Sequence, residues 1–556
     1  MDGLLVHGEN FQALNLLQAR YRGQVGCVYI DPPYNSKTTQ ILYKNSYRHS
    51  SWLCLMDDRL RLSSGLSTSD GSHVVAIDEN EQEVLGRLLS ARFPDHTRIC
   101  VAVVHNKKGI QGSFFSYSHD YAFFCIPPGL RASNGTPVSE EDWEFDNLRK
   151  WGRESERSTA RNCFYPIMVE DGEIAGFGEV CPEDFHPGAS NVSRGDGVYV
   201  YPLDSQGIER KWRYARGSVE GIRHLLRVKV VGGSGEIQIE KGRSERTIKT
   251  VWDDPRYIAG DYGTRWLTNL GLKVEQDLYP KSIHTVMDSI FAISDENATV
   301  LDYFAGSGTT GHAVVGLNRE HGGRRRYVLV EMGSHFDSVI LPRMKKVVHS
   351  QDWKEGRPVS RDGLSQVLKY VRLESYEDAM DSLEVAPSPD EREGLLAGNP
   401  ELAEDYRLRY ALGAETSGNA CLLGKEFTDP IAYRLSVVRD GVRRDVQVDL
   451  PETFNWLIGL RVEARRRIED VLAITGADEQ GRSCLVLWRH LDEIDAAALD
   501  AWFDRNRKQV ADGLDLVYVN GDHTLNAMRW PGETWVAESV EPIFRKMMFE
   551  DCDSDG

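Results

Sequence analysis

The sequence predicts an α/β protein built on an open sheet with its functional loops at the carboxyl edge, and two stretches predict it. In the first, VYIDPPYNSK at residues 28 to 37, the apolar run Val28, Tyr29, Ile30 stops at an acid, two prolines, an aromatic and an amide. The second spans residues 297 to 332. It reads as a strand over 300–302, a glycine-rich loop, a helix carrying Ala313, Val314 and Leu317, and a strand over 327–330 that ends at Glu331. Open α/β sheets bind ligands outside the carboxyl ends of their strands, so each stretch puts polar groups where a ligand would sit. Three more runs, HVVAI (73–77), ICVAVVH (99–105) and YAFFCIP (121–127), have the apolar content and length of strands that continue this sheet.

The chemistry of the first loop follows from its residue types. Two prolines fix φ and leave carbonyls with no competing N–H, so the loop after Ile30 is stiff. Asp31 and the Pro32 carbonyl can together accept both hydrogens of an exocyclic amine, and Tyr34 offers a flat face to a base. A plain strand-ending turn fits the same residues when they are read alone. In the second stretch Gly306 and Gly308 let the backbone approach a ligand closely. An acid about 20 to 25 residues further on, at the end of the next strand, is placed for ribose hydroxyls, which gives Glu331 that role in a nucleoside cofactor site. The loop is not a P-loop, because His312 and Ala313 stand where Lys and Ser or Thr would bind phosphate and magnesium.

Length and composition frame these motifs. At 556 residues the chain is too long for one core and suggests about three domains of roughly 100 to 200 residues each. Hydrophobic residues at 41% and charged residues at 27% are ordinary for a globular protein. No apolar run reaches the ~18 residues that span a bilayer, and MDGLLVHGEN has neither a basic region nor a cleavage site, so a cytoplasmic chain without a membrane partner is expected. Nine cysteines without any Cys-x-x-Cys pair indicate neither a zinc site nor a disulfide framework, and no metal is expected.

A net charge of -19 argues against a nonspecific nucleic-acid coat protein. Residues 205–256 run the other way, with 12 Lys or Arg against 7 Asp or Glu. There ERKWRYARGSVEGIRHLLRVKV alternates cations with Trp212 and Tyr214, which makes Arg210, Lys211, Arg213 and Arg216 candidate phosphate contacts. A solvated helix face explains the same residues equally well.

Taken together, DPPYN and DYFAGSGT make the chain resemble the S-adenosylmethionine-dependent DNA amino-methyltransferases. The catalytic motif precedes the cofactor motif with a recognition region between, as in their circularly permuted β group. More closely, the chain is similar to the modification (Mod) subunits of Type III restriction systems. The likeness runs through NFQALNLLQARYRGQV, SSWLCLMDDRL, VVAIDENEQ, FFSYSHDYAFFCIP, KTVWDDPRYIAGDYGTRWL, YPKS, LESYEDAM, DLPETFNWLIGL, CLVLWRHL and DLVYVNGDHTLNAM.

The resemblance implies a circularly permuted, Rossmann-like methyltransferase sheet, a target-recognition domain inserted in it, and an α+β C-terminal domain. The implied boundaries are 1–135 for the catalytic half, 136–275 for target recognition, 276–383 for the cofactor half, a Pro- and acid-rich linker at 384–394, and 395–556 for dimer or partner contacts. Asp31, Pro32, Pro33 and Tyr34 match the catalytic motif, in which an initial Asp accompanies adenine N6 and an initial Ser cytosine N4. For S-adenosyl-L-methionine, Phe304, Gly306, Gly308 and Thr309 match the cofactor motif, Asp302 and Ser307 lie within it, and Glu331 matches the ribose acid. Asp31 borders that site too. Lys281 in YPKS and Asn10, with Glu9, in HGEN take cofactor-side positions by the same likeness.

The implied reaction is methyl transfer to adenine N6 in double-stranded DNA after the base is flipped out of the stack. Implied partners are a second copy of the chain, as a homodimer, and a separate restriction subunit of the helicase-nuclease kind or another phage-defence component. A recognition subunit with dispensable methylation and an RNA methyltransferase remain alternatives. A C5-cytosine enzyme would carry Pro-Cys, whereas the chain has only Cys181-Pro182, reversed. Phe114, Phe115 and Tyr117 are candidate walls of a base pocket; Phe123 and Phe124 are expected in the core.

Overall fold

The computed structural model describes residues 2–35, 48–111, 114–130, 135–138, 140–152, 154–195, 197–246, 248–273, 278–375, 427–439, 442–510 and 513–549. The chain divides into two compact units, Met1–Arg131 with Thr250–Gly556, and Ala132–Lys249. The first is organised by a nine-stranded sheet in the order Val251–Trp252, Thr97–Val103, Asp120–Ile126, Ser67–Ile77, Val25–Ile30, Thr299–Asp302, Arg326–Glu331, Gly3–His7 and Leu368–Arg372.

Every neighbouring pair is parallel except those made by Asp120–Ile126, which runs against both of its neighbours. Parallel sheets are covered on both faces, which is why the central strands read as near-continuous apolar runs. Val28, Ile30, Val75, Ile77, Leu301 and Val328 are buried in one core with Leu14, Leu17, Trp52, Met56, Leu60 and Leu85 from the helices Asn10–Tyr21, Arg48–Leu66 and Gln82–Arg92. Phe123 and Phe124 are buried as expected.

The second unit is all β apart from short helical turns. One antiparallel sheet joins Glu173–Phe177, Ile167–Glu170, Gly197–Val200 and Asn191–Arg194, and another joins Leu226–Val230, Ile237–Gly242 and Phe145–Asn147. Tyr165, Ile167, Val200, Trp212 and Ile239 fill their shared core. The expected recognition segment 136–275 therefore ends too late. Residues from Thr250 belong to the other unit, because Val251 and Trp252 pair with Ala102 and Val103 at the edge of the large sheet.

The linker expected at 384–394 lies outside the described residues. Beyond it, a mixed sheet of Arg461–Ile468, Val471–Ala477, Ser483–Trp488, Leu516–Val519 and Val536–Ser539 carries Ala496–Val510 and Val540–Phe549. Its alternating residues feed two cores, Leu472, Ile474, Val486 and Trp488 on one face and Val471, Ala473, Leu485 and Leu487 on the other. This region is grouped with the nine-stranded sheet. Trp456 stacks on Tyr21 at 6.5 Å, and the Arg20 guanidinium lies 4.4 Å from the Trp456 ring. Among the described residues no helix is long and apolar enough to cross a membrane.

Candidate active site

Four adjacent parallel strands end side by side and deliver Asp78, Asp31, Asp302 and Glu331 to one edge of the sheet. Asp120 reaches the same edge because its strand is reversed: Tyr121 faces Ile77 and Asp120 faces Val103. A strand start thus lands where its neighbours finish.

The Asp31–Asn35 loop is pinned from beneath. Trp52, wholly buried, donates its indole N–H to the Pro33 carbonyl at 2.8 Å. Asn35 takes a left-handed φ of 56°, its amide donates to Glu81 at 2.7 Å, and Arg48 donates to its carbonyl at 3.0 Å. The Pro32 carbonyl accepts no hydrogen bond among the described residues, which leaves it available to a ligand.

At the mouth of this loop the Tyr34 hydroxyl donates to Asp31 Oδ1 at 2.5 Å. The Lys281 ammonium donates to the Tyr34 hydroxyl oxygen and, at 2.6 Å, to Asp120 Oδ2. It stands 3.7 Å from Asp31 Oδ1 and 4.6 Å from the Tyr34 ring centroid. His105 Nε2 lies 3.3 Å from Asp120 Oδ1.

Burial pushes the Asp31 carboxyl above the usual carboxylate range; Lys281 and the Tyr34 hydrogen bond oppose that shift, and Asp120 adds to it. Burial also works against the charge on Lys281, but Asp120 and Asp31 outweigh it and hold the ammonium above the usual lysine range. Asp120 is raised by burial and more than compensated by Lys281 and His105, which hold it well below the usual range.

The second loop leaves the adjacent strand. Asp302, 2% exposed, accepts from the Phe304 N–H at 3.0 Å and from the Thr310 hydroxyl at 2.5 Å, which ties strand end to helix start. Burial pushes its pKa up to about 7 against those two hydrogen bonds. Gly306 and Gly308 have φ of 51° and 81°, and Gly308 caps the helix Thr309–His321. Glu331 accepts from the Gly306 N–H at 2.9 Å and from the Gly333 N–H at 2.8 Å. A Cβ built on Gly306 would meet only the Phe304 carbonyl oxygen, at 3.9 Å, so the space beside this glycine is open.

Several expected contacts change character. The Ser307 and Thr309 hydroxyls turn away from the crevice edge to Arg343, whose Nη1 donates to them at 2.9 and 3.1 Å and to the Ser307 carbonyl at 3.1 Å. Asp302 is spent on the loop itself. These three side chains build the cradle, and the backbone of Phe304–Gly308 with Glu331 presents it. Asn10 donates to the Tyr303 carbonyl at 3.1 Å and accepts from Arg59 Nε at 3.1 Å, while Glu9 caps the helix Asn10–Tyr21 and pairs with Arg59. Lys281, expected on the cofactor side, has Tyr34, Asp31 and Asp120 as its partners. Ser282 beside it anchors the turn by donating to the Arg256 carbonyl at 2.6 Å.

The expected phosphate-contacting quartet is mostly committed within its own unit. Arg210 pairs with buried Asp204 at 2.9 Å and donates to Ser155; Lys211 is buried and donates to Thr159 at 2.8 Å. Arg216 donates to the Gly178 and Phe177 carbonyls, and only Arg213 is largely exposed, 3.7 Å from Asp146. Trp212 between them is core, its indole N–H donating to the Tyr165 carbonyl. Asp204, Asp146 and Glu240 pair with Arg210, Arg243, Arg227 and Lys229, the last three of which stay about half exposed. Arg210→Ala is accordingly expected to destabilise the 132–249 unit by about 1 to 3 kcal/mol, with the salt dependence of DNA binding unchanged. Thermal melts paired with binding isotherms at several salt concentrations check this. By contrast, Phe114 and Phe115 are 94% and 83% exposed on the loop leading into Asp120.

An Asp-Pro-Pro-Tyr loop and a glycine loop leaving adjacent parallel strands belong to a Rossmann-like α/β fold. The chain belongs to the DNA methylase family, which matches residues 25–341, more than half its length. Its sheet is the permuted Rossmann-like methyltransferase sheet, with the catalytic half first in the chain.

The chain is 24% identical to the EcoPI Mod subunit of a Type III restriction-modification enzyme from Escherichia phage P1, over 66% of this chain and 62% of that one. It therefore spans less than two thirds of that relative. It is 27% identical to the Type II methyltransferase M.KpnI of Klebsiella pneumoniae, over 58% of this chain and 79% of that one. Among solved structures it is similar to the PvuII DNA methyltransferase (cytosine-N4-specific), with 11% identity, coverage of 62% and 90%, and a TM-score of 0.32.

Proposed function

We propose that this protein is a site-specific DNA methyltransferase that moves a methyl group from S-adenosyl-L-methionine to adenine N6 in duplex DNA, in a Type III restriction-modification setting. The observation that carries the reading is the pair of loops on neighbouring strands, Asp31–Tyr34 and Phe304–Gly308, which bring an amine acceptor beside an open glycine cradle. The residues fit the cofactor: the bare side of Gly306 gives room, Phe304 borders it, and Glu331 retains lone pairs for ribose hydroxyls.

When bound, S-adenosylmethionine supplies a methyl group already activated on a sulfonium. The protein's task is mainly alignment and exclusion of water. Asp31 and the Pro32 carbonyl accept the two N–H bonds of the adenine amine, which draws the nitrogen out of conjugation and aims its lone pair into the crevice. Asp31 takes the proton that the amine sheds. The Tyr34 ring supports the extruded base and offsets part of the lost stacking. A separate restriction subunit and a second copy of this chain are the proposed partners, a reading supported by the similarity to Type III Mod subunits.

Incubating the protein with duplex DNA and labelled cofactor, then analysing nucleosides by mass spectrometry, tests the assignment. Label in N6-methyladenine at a defined short site is expected. Label in N4-methylcytosine overturns the base, label confined to RNA overturns the substrate, and specific DNA binding without label favours a recognition subunit.

A further inference from the structure

We propose that Asp120 is a positioning residue for methyl transfer: it anchors Lys281 so that the ammonium keeps hold of the Tyr34 hydroxyl and leaves Asp31 free to accept the amine. The inference rests on the methyltransferase reading above and deepens it.

The resting site is closed on itself. Tyr34 donates its single hydroxyl proton to Asp31 Oδ1, one of the two oxygens that an incoming amine can use. A phenol has one proton and two acceptor positions. When an amine N–H takes over at Asp31, the hydroxyl loses its acceptor but not its donor, because Lys281 already bonds to its oxygen. The hydroxyl therefore has somewhere to stay, and the ring beneath it remains in place for the base.

What keeps Lys281 from going to Asp31 itself is Asp120. The ammonium is 2.6 Å from Asp120 Oδ2 and 3.7 Å from Asp31 Oδ1, so its short contact goes to Asp120 and only the longer ion pair to Asp31. Without the Asp120 charge, Asp31 becomes the nearest anion to the ammonium. A direct Lys281–Asp31 hydrogen bond would then compete with the amine at Oδ1. Asp120 is itself held by His105 at 3.3 Å on its other oxygen, from the end of the strand Thr97–Val103.

The remaining groups facing the cluster are Tyr29 on the catalytic strand, Asp78 at the end of Ser67–Ile77, and Asp302 at the end of Thr299–Asp302. All three are neutral or anionic. Among the described residues Lys281 is the lysine that faces these carboxylates, and Asp120 takes its shorter contact.

A buried ion pair that merely stabilises the fold would look the same in a static structure. The pH dependence of turnover separates the two roles, because Asp31 must be ionised to accept and its environment sets the acid limb of kcat. Wild type, Asp120→Asn, Asp120→Glu, Lys281→Gln and His105→Gln are compared with labelled S-adenosylmethionine and duplex DNA, alongside cofactor titrations and thermal melts.

Asp120→Asn is expected to lower kcat by about 10²-fold, within the range of positioned proton-transfer groups. It should also move the acid limb to lower pH, since a repelling anion is gone and a cation is freed toward Asp31. Lys281→Gln should lower kcat and move the limb to higher pH, since the balancing cation is gone. Asp120→Glu should recover part of the rate, and His105→Gln should leave both shifts in place. Cofactor affinity should stay within about twofold of wild type throughout.

Limbs that move the same way in both variants, or an Asp120→Asn enzyme with wild-type kcat, overturn the proposal. So does a loss of rate that tracks a fall in thermal stability. If Asp120→Asn does not fold, Lys281→Gln decides alone: an upward shift supports the proposal and an unmoved limb overturns it. A wild type that transfers no label to DNA at all defeats the underlying reading instead, a result visible before any variant is made.

Discussion

Asp31→Ala is expected to abolish methyl transfer, with a fall in kcat of at least about 10³-fold, while the protein stays folded and its DNA affinity changes by no more than a few-fold. General-base groups contribute roughly 10² to 10⁴-fold, and Asp31 is also one of only two acceptors that orient the amine. Folding is not expected to suffer. Burial already works against the ionised Asp31 carboxylate, and Lys281 keeps its shorter contact to Asp120 when Asp31 is gone. DNA affinity rests chiefly on phosphate contacts made elsewhere.

The same electrostatics fixes the pH behaviour of the wild type. A raised Asp31 pKa means that activity present near neutrality is lost on acidification at a higher pH than an ordinary aspartate would show. Tyr34→Ala should be milder, by about 1 to 3 kcal/mol of lost base stacking. Label transfer and fluorescence anisotropy on the same preparations check all of this. Transfer by Asp31→Ala within tenfold of wild type sinks the role given to Asp31.

Much of this site could be read from the chain because the informative residues sit where strands stop. Val28 to Ile30 and Val300 to Asp302 are short apolar runs ending in a polar loop, and both proved to be buried parallel strands with those loops at the carboxyl edge. Asp120 escaped notice for a geometric reason. At the start of a strand it would lie at the far edge of a parallel sheet, and only the reversal of Asp120–Ile126 brings it beside Asp31. Strand direction is a tertiary property that no local pattern encodes. The one local signal is the acid preceding an apolar run in HDYAFFCIP.

The arginine stretch shows a different limit of the sequence. A count of cations along the chain does not tell which of them have anions across a turn, and Asp204, only six residues before Arg210, takes that arginine out of play. Arg343 and Trp52 belong to the same class of omission. Each supports a functional loop from a distant helix, Arg343 through three hydrogen bonds to Ser307 and Thr309 and Trp52 through one to Pro33. Long-range support of this kind leaves no trace in spacing.

Gly306→Val is expected to lower S-adenosylmethionine affinity by at least about 100-fold in a protein that still folds. Two effects combine. The residue adopts a φ of 51°, where a β-branched side chain is strained by about 1 to 3 kcal/mol. The side chain would also fill the open space that only the Phe304 carbonyl borders, at 3.9 Å, which is the space proposed for the cofactor. Gly311→Ala, five residues further on and inside the helix Thr309–His321, provides the contrast. Its Cβ would stand 2.8 Å from both Leu329 Cδ1 and Met344 Sδ, so it forces helix against strand within the core and should lower the melting temperature. Calorimetric titration of the folded fraction distinguishes them: Gly306→Val should melt near wild type and not bind, and Gly311→Ala should melt early and bind. Unchanged affinity in folded Gly306→Val would remove the cofactor from this loop.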